Sequence, residues 1–538
     1  MAGAAADEEA VCSGVLVEED KHFKRRLGWF GGAALVFSSM VGSGWLFASY
    51  FAVMTAGPLA IGSWVIAALA TALVALTYIE LGVTRPLAGG NVRWPSMISG
   101  PFVGVMIGWV FFLQATIGTP SEASGLLQYV NRWWPGLVVD GSLSSLGLVL
   151  AIFVVIAFTV LNWFGVVLMS RINAMVTVFK IGVPLLTVVL LVATGFDSSN
   201  FSSAGGVAPY GIPGMLTAVT GAGLIYSFGG INVGAVMAGE TRCPRRNLPI
   251  GTFVGFAAAF AVYLMLQIAF VGGVPHGVLA QLGWHGLRFD SPFAQVALML
   301  NLHWLAQLLL VDSVVSPAGS LFLGIGTNSR NIFGIAKSRM LPKWVAKVHE
   351  RSGIPRHALV VNLVVSVFFL LGFQSWQDLV SATGMFFAAG YAIIAVAAGA
   401  NLKDPALRAR PWMRGVRYVA PPTFVISGLI MYWAGWDEVW LALLLFLVSV
   451  PLFALMMRKD RKILNISTFR SGVWFLAFML VLGGISAIGS FGGSGWVGSP
   501  WDSVAVAVVS AGFYWWGHRA SVAWMVSPQS RAAAGVYC

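Results

Sequence analysis

Two interruptions inside apolar runs are the residues best placed to do chemistry. Gly42-Ser43-Gly44 breaks ALVFSSMVGSGWLFASYFAVM, and Phe228-Gly229-Gly230 breaks LIYSFGGINVGAVMAGE. Irregular backbone inside a bilayer leaves amide groups that lipid cannot pair, so protein, water or a solute must pair them. A half-helix that resumes after a break offers free N–H groups to a carboxylate, and the half that precedes it offers carbonyls to an ammonium. A zwitterion such as an amino acid satisfies both ends. The carboxylate falls to the amides around Ser43 and Gly44, the amine to carbonyls near Ser38, Ser39 and Tyr226 to Gly229. Tyr226 is the candidate gate, while Phe228 and Trp45 either bracket the site or pack in the core. The competing reading of each glycine pair is close helix packing, which two breaks at matched positions make the weaker one.

Ionisable residues within apolar runs cost roughly 3 kcal/mol each on insertion scales, so their presence asks for a reason. Three stand out: Glu122 in GTPSEASGLLQYV, Lys180 in TVFKIGVPLL and Asp312 in LLLVDSVVSPAGS. Lys180 either snorkels to the interface or rests on the carbonyls of the first break and the hydroxyls of the Asp312 run. In the second case it is a candidate proton carrier, because an ammonium held away from water gains by shedding its proton, and it stands where a sodium ion might otherwise bind. Asp312 and Ser316 lie one turn apart on one helical face, where Asp312 pairs with a cation, takes a proton or makes a packing hydrogen bond to another helix. Glu122 recognises substrate, carries a proton or is solvated at the outer mouth.

The elements that must position these groups are membrane helices. The 538 residues are 58% hydrophobic and 10% charged. Runs of the length that crosses a bilayer lie near 30–55, 59–81, 101–129, 146–168, 172–195, 213–239, 250–274, 303–328, 358–374, 377–400, 419–435, 437–457, 472–490 and 502–518, about fourteen spans in an all-α integral membrane protein. With both termini cytoplasmic, only Arg132, Arg288 and the intramembrane Lys180 of the 32 basic residues escape the inner side, the bias expected of a multi-pass protein of the cell membrane. The formal charge of +12 follows from that bias and does not indicate nucleic acid. Contact with membrane lipids is implied throughout.

The breaks lie five spans apart, so two five-span units would run in opposite directions, an inverted repeat with discontinuous helices meeting at the midplane. This divides the chain into a cytoplasmic tail over 1–28, a ten-helix transport core over 29–400, and four further spans with a short tail over 401–538. Cys12, Cys243 and Cys538 all fall on the inner side, where reduced thiols and no disulfide are expected. Phosphate-loop, zinc-protease and nucleophile-elbow motifs are missing from the sequence, so no enzyme activity, cofactor or metal is implied.

VGSGWLF, IELGVTRPLAGGNVRWP, YSFGGINVGAVMAGETRCPRRNLP and VDSVVSPAGSLFLGIGTNSRNIFG together resemble the amino acid-polyamine-organocation permeases. The TPSEASGLLQYV segment is most similar to the bacterial aspartate-proton symporter-like branch. The resemblance covers about residues 27–400 and implies the leucine-transporter-type five-plus-five inverted-repeat fold, with proton-coupled or exchange transport of amino acids. By motif, Gly42, Ser43 and Gly44 match the segment that receives the substrate carboxylate, Tyr226 the aromatic gate, Gly229 a backbone that receives the amine, and Lys180 a lysine that replaces sodium. The branch usually carries a bulkier sequence where Gly229-Gly230-Ile231-Asn232 stands, and Asn232 replaces a Gln or Glu, so aspartate does not carry over as substrate. A proton symporter is expected, with an obligate amino acid or polyamine exchanger, or a non-transporting sensor, as alternatives.

Overall fold

The computed structural model describes residues 27–87, 90–163, 166–337, 341–349, 354–404, 411–459 and 466–530. Of the tail expected over 1–28 only Leu27 and Gly28 are among them; Cys12, Cys538 and the last residues of the C-terminal tail lie outside.

Helix occupies each apolar run read from the sequence. In chain order the helices are α1 Trp29–Met40, α2 Gly44–Ala56, α3 Ala60–Thr84, α4 Gly90–Ser99, α5 Pro101–Val130, α6 Ser145–Asn162, α7 Val166–Gly195, α8 Gly211–Gly221, α9 Leu224–Ser227, α10 Val233–Val236 and α11 Pro244–Gly273. There follow α12 His276–Leu282, α13 Pro292–Met299, α14 His303–Lys337, α15 Arg356–Gly372, α16 Trp376–Asn401, α17 Val416–Trp433, α18 Trp436–Leu447, α19 Ser449–Lys459, α20 Ile466–Arg470, α21 Val473–Ile488 and α22 Trp501–Met525. Among the described residues, 7 helices are long and apolar enough to cross a membrane, or 8 if one bent pair counts as a single span. The molecule is a multi-pass helical membrane protein. Hydropathy does not announce α4, α12 and α13, because they are short and lie in the connections between apolar runs.

The first break is narrow. α1 ends where Val41 turns extended (φ −80°, ψ 91°), and α2 begins at Gly44. The second is spread along the chain: α8 and the segment Leu224–Glu240 meet at 41°, and beyond Ser227 short α-turns alternate with 3-10 turns at Gly229–Asn232 and Met237–Glu240. The helix loosens at Phe228-Gly229-Gly230 as expected, but the bend itself lies earlier, at Gly223. Its left-handed φ of 76° suits glycine, and a Cβ there would come within 2.9 Å of Val380 and 3.2 Å of Trp376.

The two breaks pack directly on one another. A Cβ on Gly230 would lie 2.7 Å from the Ser39 carbonyl carbon and 2.9 Å from the Met40 nitrogen, and one on Gly44 would meet the Ser227 hydroxyl. The Tyr263 hydroxyl on α11 lies 2.8 Å from the Met40 carbonyl and 3.2 Å from the Ser227 carbonyl, so it reaches the last carbonyls of α1 and α9 together. Such carbonyls at a helix end lack intrahelical partners and need this kind of donor.

Far from the breaks, Glu80 of α3 is buried, and its carboxylate accepts the backbone N–H groups of Trp412 (3.3 Å) and Met413 (2.8 Å). Arg85 pairs with Asp404 and donates to Asn401 Oδ1 at 2.8 Å. These contacts tie the end of α3 to the connection that leads into α17. Cys243, at the foot of α11, is disulfide-bonded, which overturns the expectation of three reduced thiols. The bridge between Leu27 and Thr241 sets the start of the described chain alongside this loop.

Candidate functional site

At the first break the amide of Ser43 donates to both oxygens of Glu122, at 3.3 Å to Oε1 and 3.1 Å to Oε2. Tyr226 donates its hydroxyl to the same Oε1 at 2.9 Å. Glu122 is buried on α5, and a Cβ on Gly42 would stand 2.6 Å from its Oε1, so the glycine is what lets the carboxylate approach. A side-chain carboxylate thus sits at the N-terminal end of α2, the place the sequence assigns to a substrate carboxylate. The chemistry matches, since free N–H groups and the positive dipole end favour an anion.

The opposite end of the break holds a cation. Lys180, buried on α7, donates to the Ser38 carbonyl at 3.2 Å and to Ser320 Oγ of α14 at 2.7 Å. Its ammonium rests on the last turn of α1, where the dipole is negative, and it acts electrostatically on both Glu122 and Asp312. Ser316 donates to Asp312 Oδ1 at 2.8 Å, while Asp312 Oδ2 is buried without a hydrogen-bond partner among the described residues. Asp312, Ser316 and Ser320 recur every four residues along one face of α14, so helical geometry alone aligns them with Lys180.

The remaining residues of the sequence reading fall into two sets. Gly42, Ser43, Gly44, Tyr226, Gly229 and Gly230 gather where the breaks touch. Phe228 does not turn its ring toward Glu122: it is buried among Trp64, Phe256 and Tyr263, at centroid distances of 5.6, 5.5 and 5.5 Å. What it offers the break is backbone. Asn232 is buried next to the Tyr78 hydroxyl of α3. Trp45 is buried against Phe293 of α13, so it packs rather than lining the break.

Sequence reasoning missed Trp376, whose indole donates to Ser43 Oγ at 2.9 Å. Nothing in its type marked it among 22 tryptophans. Tyr263 was also missed, although Tyr263 and Gln267, one turn apart in AVYLMLQIAF, form a polar stripe that stands out from the run around them. Gln267 accepts the Trp64 indole at 2.9 Å and donates to the Ser49 carbonyl at 3.4 Å, so this stripe braces α2 and α3.

A multi-pass helical protein with two abutting broken helices, and an anion site and a cation set against one of them, is a transporter in its class. The chain belongs to the amino acid permease family, whose model matches residues 27–488. It is 35% identical over 538 residues to the glutamate/serine transporter AimA of Bacillus subtilis, covering 95% of this chain and 99% of that protein. It is 31% identical over 507 residues to the aspartate-proton symporter of the same organism, covering 92% and 96%. Among solved structures, a manganese transporter of Eremococcus coleocola aligns over 95% of this chain and 99% of its own, with a TM-score of 0.53 at 14% identity, a likeness of fold alone. The family is one of permeases, not of enzymes.

Proposed function

We propose that this protein is a secondary active transporter that carries an amino acid across the cell membrane in symport with protons. The observation that carries the reading is the Glu122 carboxylate held on the Ser43 amide at the start of α2. A group of the substrate's own chemistry occupies the site that the substrate needs. On binding, the amino acid carboxylate replaces Glu122 at Ser43 and Gly44, and its amine takes carbonyls exposed around Tyr226 to Gly229. Glu122 takes up a proton as it leaves, since a displaced, buried carboxylate is costly when charged. Lys180 and Asp312 Oδ2 form the relay that hands the proton on, with Ser316 orienting Asp312. The relatives named for glutamate, serine and aspartate support a small amino acid as cargo.

The architecture that serves this function is a five-plus-five inverted repeat over 29–400, with four further spans over 401–538, about fourteen spans in all and both termini cytoplasmic. The abutting breaks and the inner bias of Lys and Arg support it.

Purified protein in liposomes, with an imposed pH gradient and labelled L-serine, L-glutamate and L-aspartate, tests the reading. Uptake driven by the gradient into empty vesicles is the expected result. Uptake only into preloaded vesicles would replace symport with exchange, and binding without flux would contradict transport.

A further inference from the structure

The helix α16 carries no residue yet assigned to substrate or proton, but it touches both breaks. Its start is rigidly mounted. The hairpin of β1 Val138–Val139 and β2 Ser142–Leu143 turns at Asp140-Gly141, both with positive φ (49° and 78°), as a tight two-residue hairpin turn requires. Leu143 then donates its N–H to the Gln374 carbonyl at 2.9 Å, and Ser375 caps α16 by accepting the Asp378 N–H at 3.0 Å. Trp376 is the first residue of the helix so fixed.

Around Trp376 the protein is carved to the ring. It stacks on Phe51 (5.6 Å, 12° between planes), lies over Phe47 at 4.8 Å, and meets Tyr226 edge-on at 6.3 Å. Gly125 leaves it room, since a Cβ there would stand 3.0 Å from the indole, as does Gly223 at the bend. Core packing alone would explain the ring, but not the indole N–H spent on the hydroxyl of Ser43, the residue whose amide holds the anion.

Eleven residues on, Phe387 lies about 16 Å further along the axis and within about 20° of the same helical face. Its ring covers Gly229 so closely that a Cβ there would come within 2.2 Å of Phe387 Cζ. Between Leu379 and Asn401 every other residue of α16 is buried, whereas Phe387 is partly exposed. Ser39, which donates to the Gly230 carbonyl at 3.3 Å, is exposed as well. On the Trp376 side, by contrast, Ser43, Phe47 and Trp376 are all buried. One side of the paired breaks is sealed, and the other is covered only by a partly exposed ring.

We propose that α16 bears the gates on both sides of the site, Trp376 sealing the first break through the Ser43 hydroxyl and Phe387 covering the second at Gly229. The assignment rests on the transport reading above. Trp376 is a positioning residue: when its side of the protein opens, its indole leaves Ser43, so the state of that gate is transmitted to the anion-binding residue itself. Phe387 is the partial cover on the other side.

The test uses the full chain in sealed vesicles of both orientations, with Ser39→Cys and a membrane-impermeant thiol reagent, scored above the background label of the parent protein. The introduced thiol is expected to react from one face only. Trp376→Ala should make it react from both faces, Trp376→Phe should keep it one-sided, and Phe387→Ala should keep it one-sided but several-fold faster. A monodisperse size-exclusion profile matching that of the Ser39→Cys parent shows that each variant is folded. One-sided labelling in Trp376→Ala, or an unchanged rate in Phe387→Ala, overturns the proposal. The labelling needs no substrate, so a protein with the Ser39→Cys change alone that reacts from one face, paired with a wild type that accumulates none of the three labelled amino acids, contradicts the transport reading, while the gates stand on the sidedness.

Discussion

The two breaks solve the same backbone problem in opposite ways. At the first, three residues depart from helix, and side chains from distant helices satisfy them: Glu122 on the Ser43 amide, Trp376 on its hydroxyl, Lys180 on the Ser38 carbonyl. At the second, irregularity extends from Ala222 to Glu240, and close packing holds it, with Gly229 under Phe387, Gly230 against Ser39 and Gly234 near Thr252. The first break is therefore the chemical one, with a charge of each sign facing it. The second is shaped by size, and its run of short α and 3-10 turns gives it the weaker hydrogen bonding that allows rearrangement.

This contrast predicts different sensitivities. Gly230→Ala should have the largest effect, abolishing uptake and lowering the folded yield, because the new methyl meets backbone atoms of Ser39 and Met40 that cannot step aside; overpacking of this kind costs about 1–3 kcal/mol. Size-exclusion profiles beside uptake assays check it, and a fully active, monodisperse variant would refute the steric view of the second break. Lys180→Ala comes next: accumulation driven by a pH gradient should be lost while binding remains, since the variant removes the proposed relay and not the anion site. Full retention of gradient coupling would remove Lys180 from the proton path.

Gly229→Ala should impair uptake less than Gly230→Ala, because what it strikes is a side chain, and Phe387→Leu in the same protein should restore part of the loss. Failure of that rescue would mean that Gly229 answers to something other than the Phe387 ring. The smallest effect belongs to Trp376→Phe, which keeps an aromatic ring and loses one hydrogen bond. An increase of roughly two- to tenfold in the KM for uptake is expected, the scale of one such bond. A change in maximal rate without any change in KM would place Trp376 outside the Ser43 network.

Much of this arrangement is legible in the sequence because polar atoms in an apolar run are conspicuous. Glu122, Lys180 and Asp312 declare themselves by their cost in a membrane, and Gly42-Ser43-Gly44 by interrupting an otherwise regular helix. What the sequence leaves open is which group meets which. Glu122 reads equally as a substrate contact, a proton carrier or a solvated surface residue until its oxygens are seen on Ser43. Trp376 and Phe387 leave no mark at all, since an aromatic residue in an apolar run is what composition leads one to expect. The bend at Gly223 is hidden by its neighbours: several glycines crowd TGAGLIYSFGG, and only the packing of Val380 and Trp376 decides which of them turns the chain.

The central claim is that Glu122 stands in for the substrate carboxylate on the Ser43 amide and yields its place by taking a proton. Equilibrium binding of labelled L-serine, L-glutamate and L-aspartate across pH, to the wild-type protein and to Glu122→Gln, tests it most directly. Whichever of them binds is expected to bind the wild type more tightly as pH falls, and to bind Glu122→Gln tightly at every pH. Weaker binding to Glu122→Gln, or an unchanged pH dependence in that variant, would contradict it.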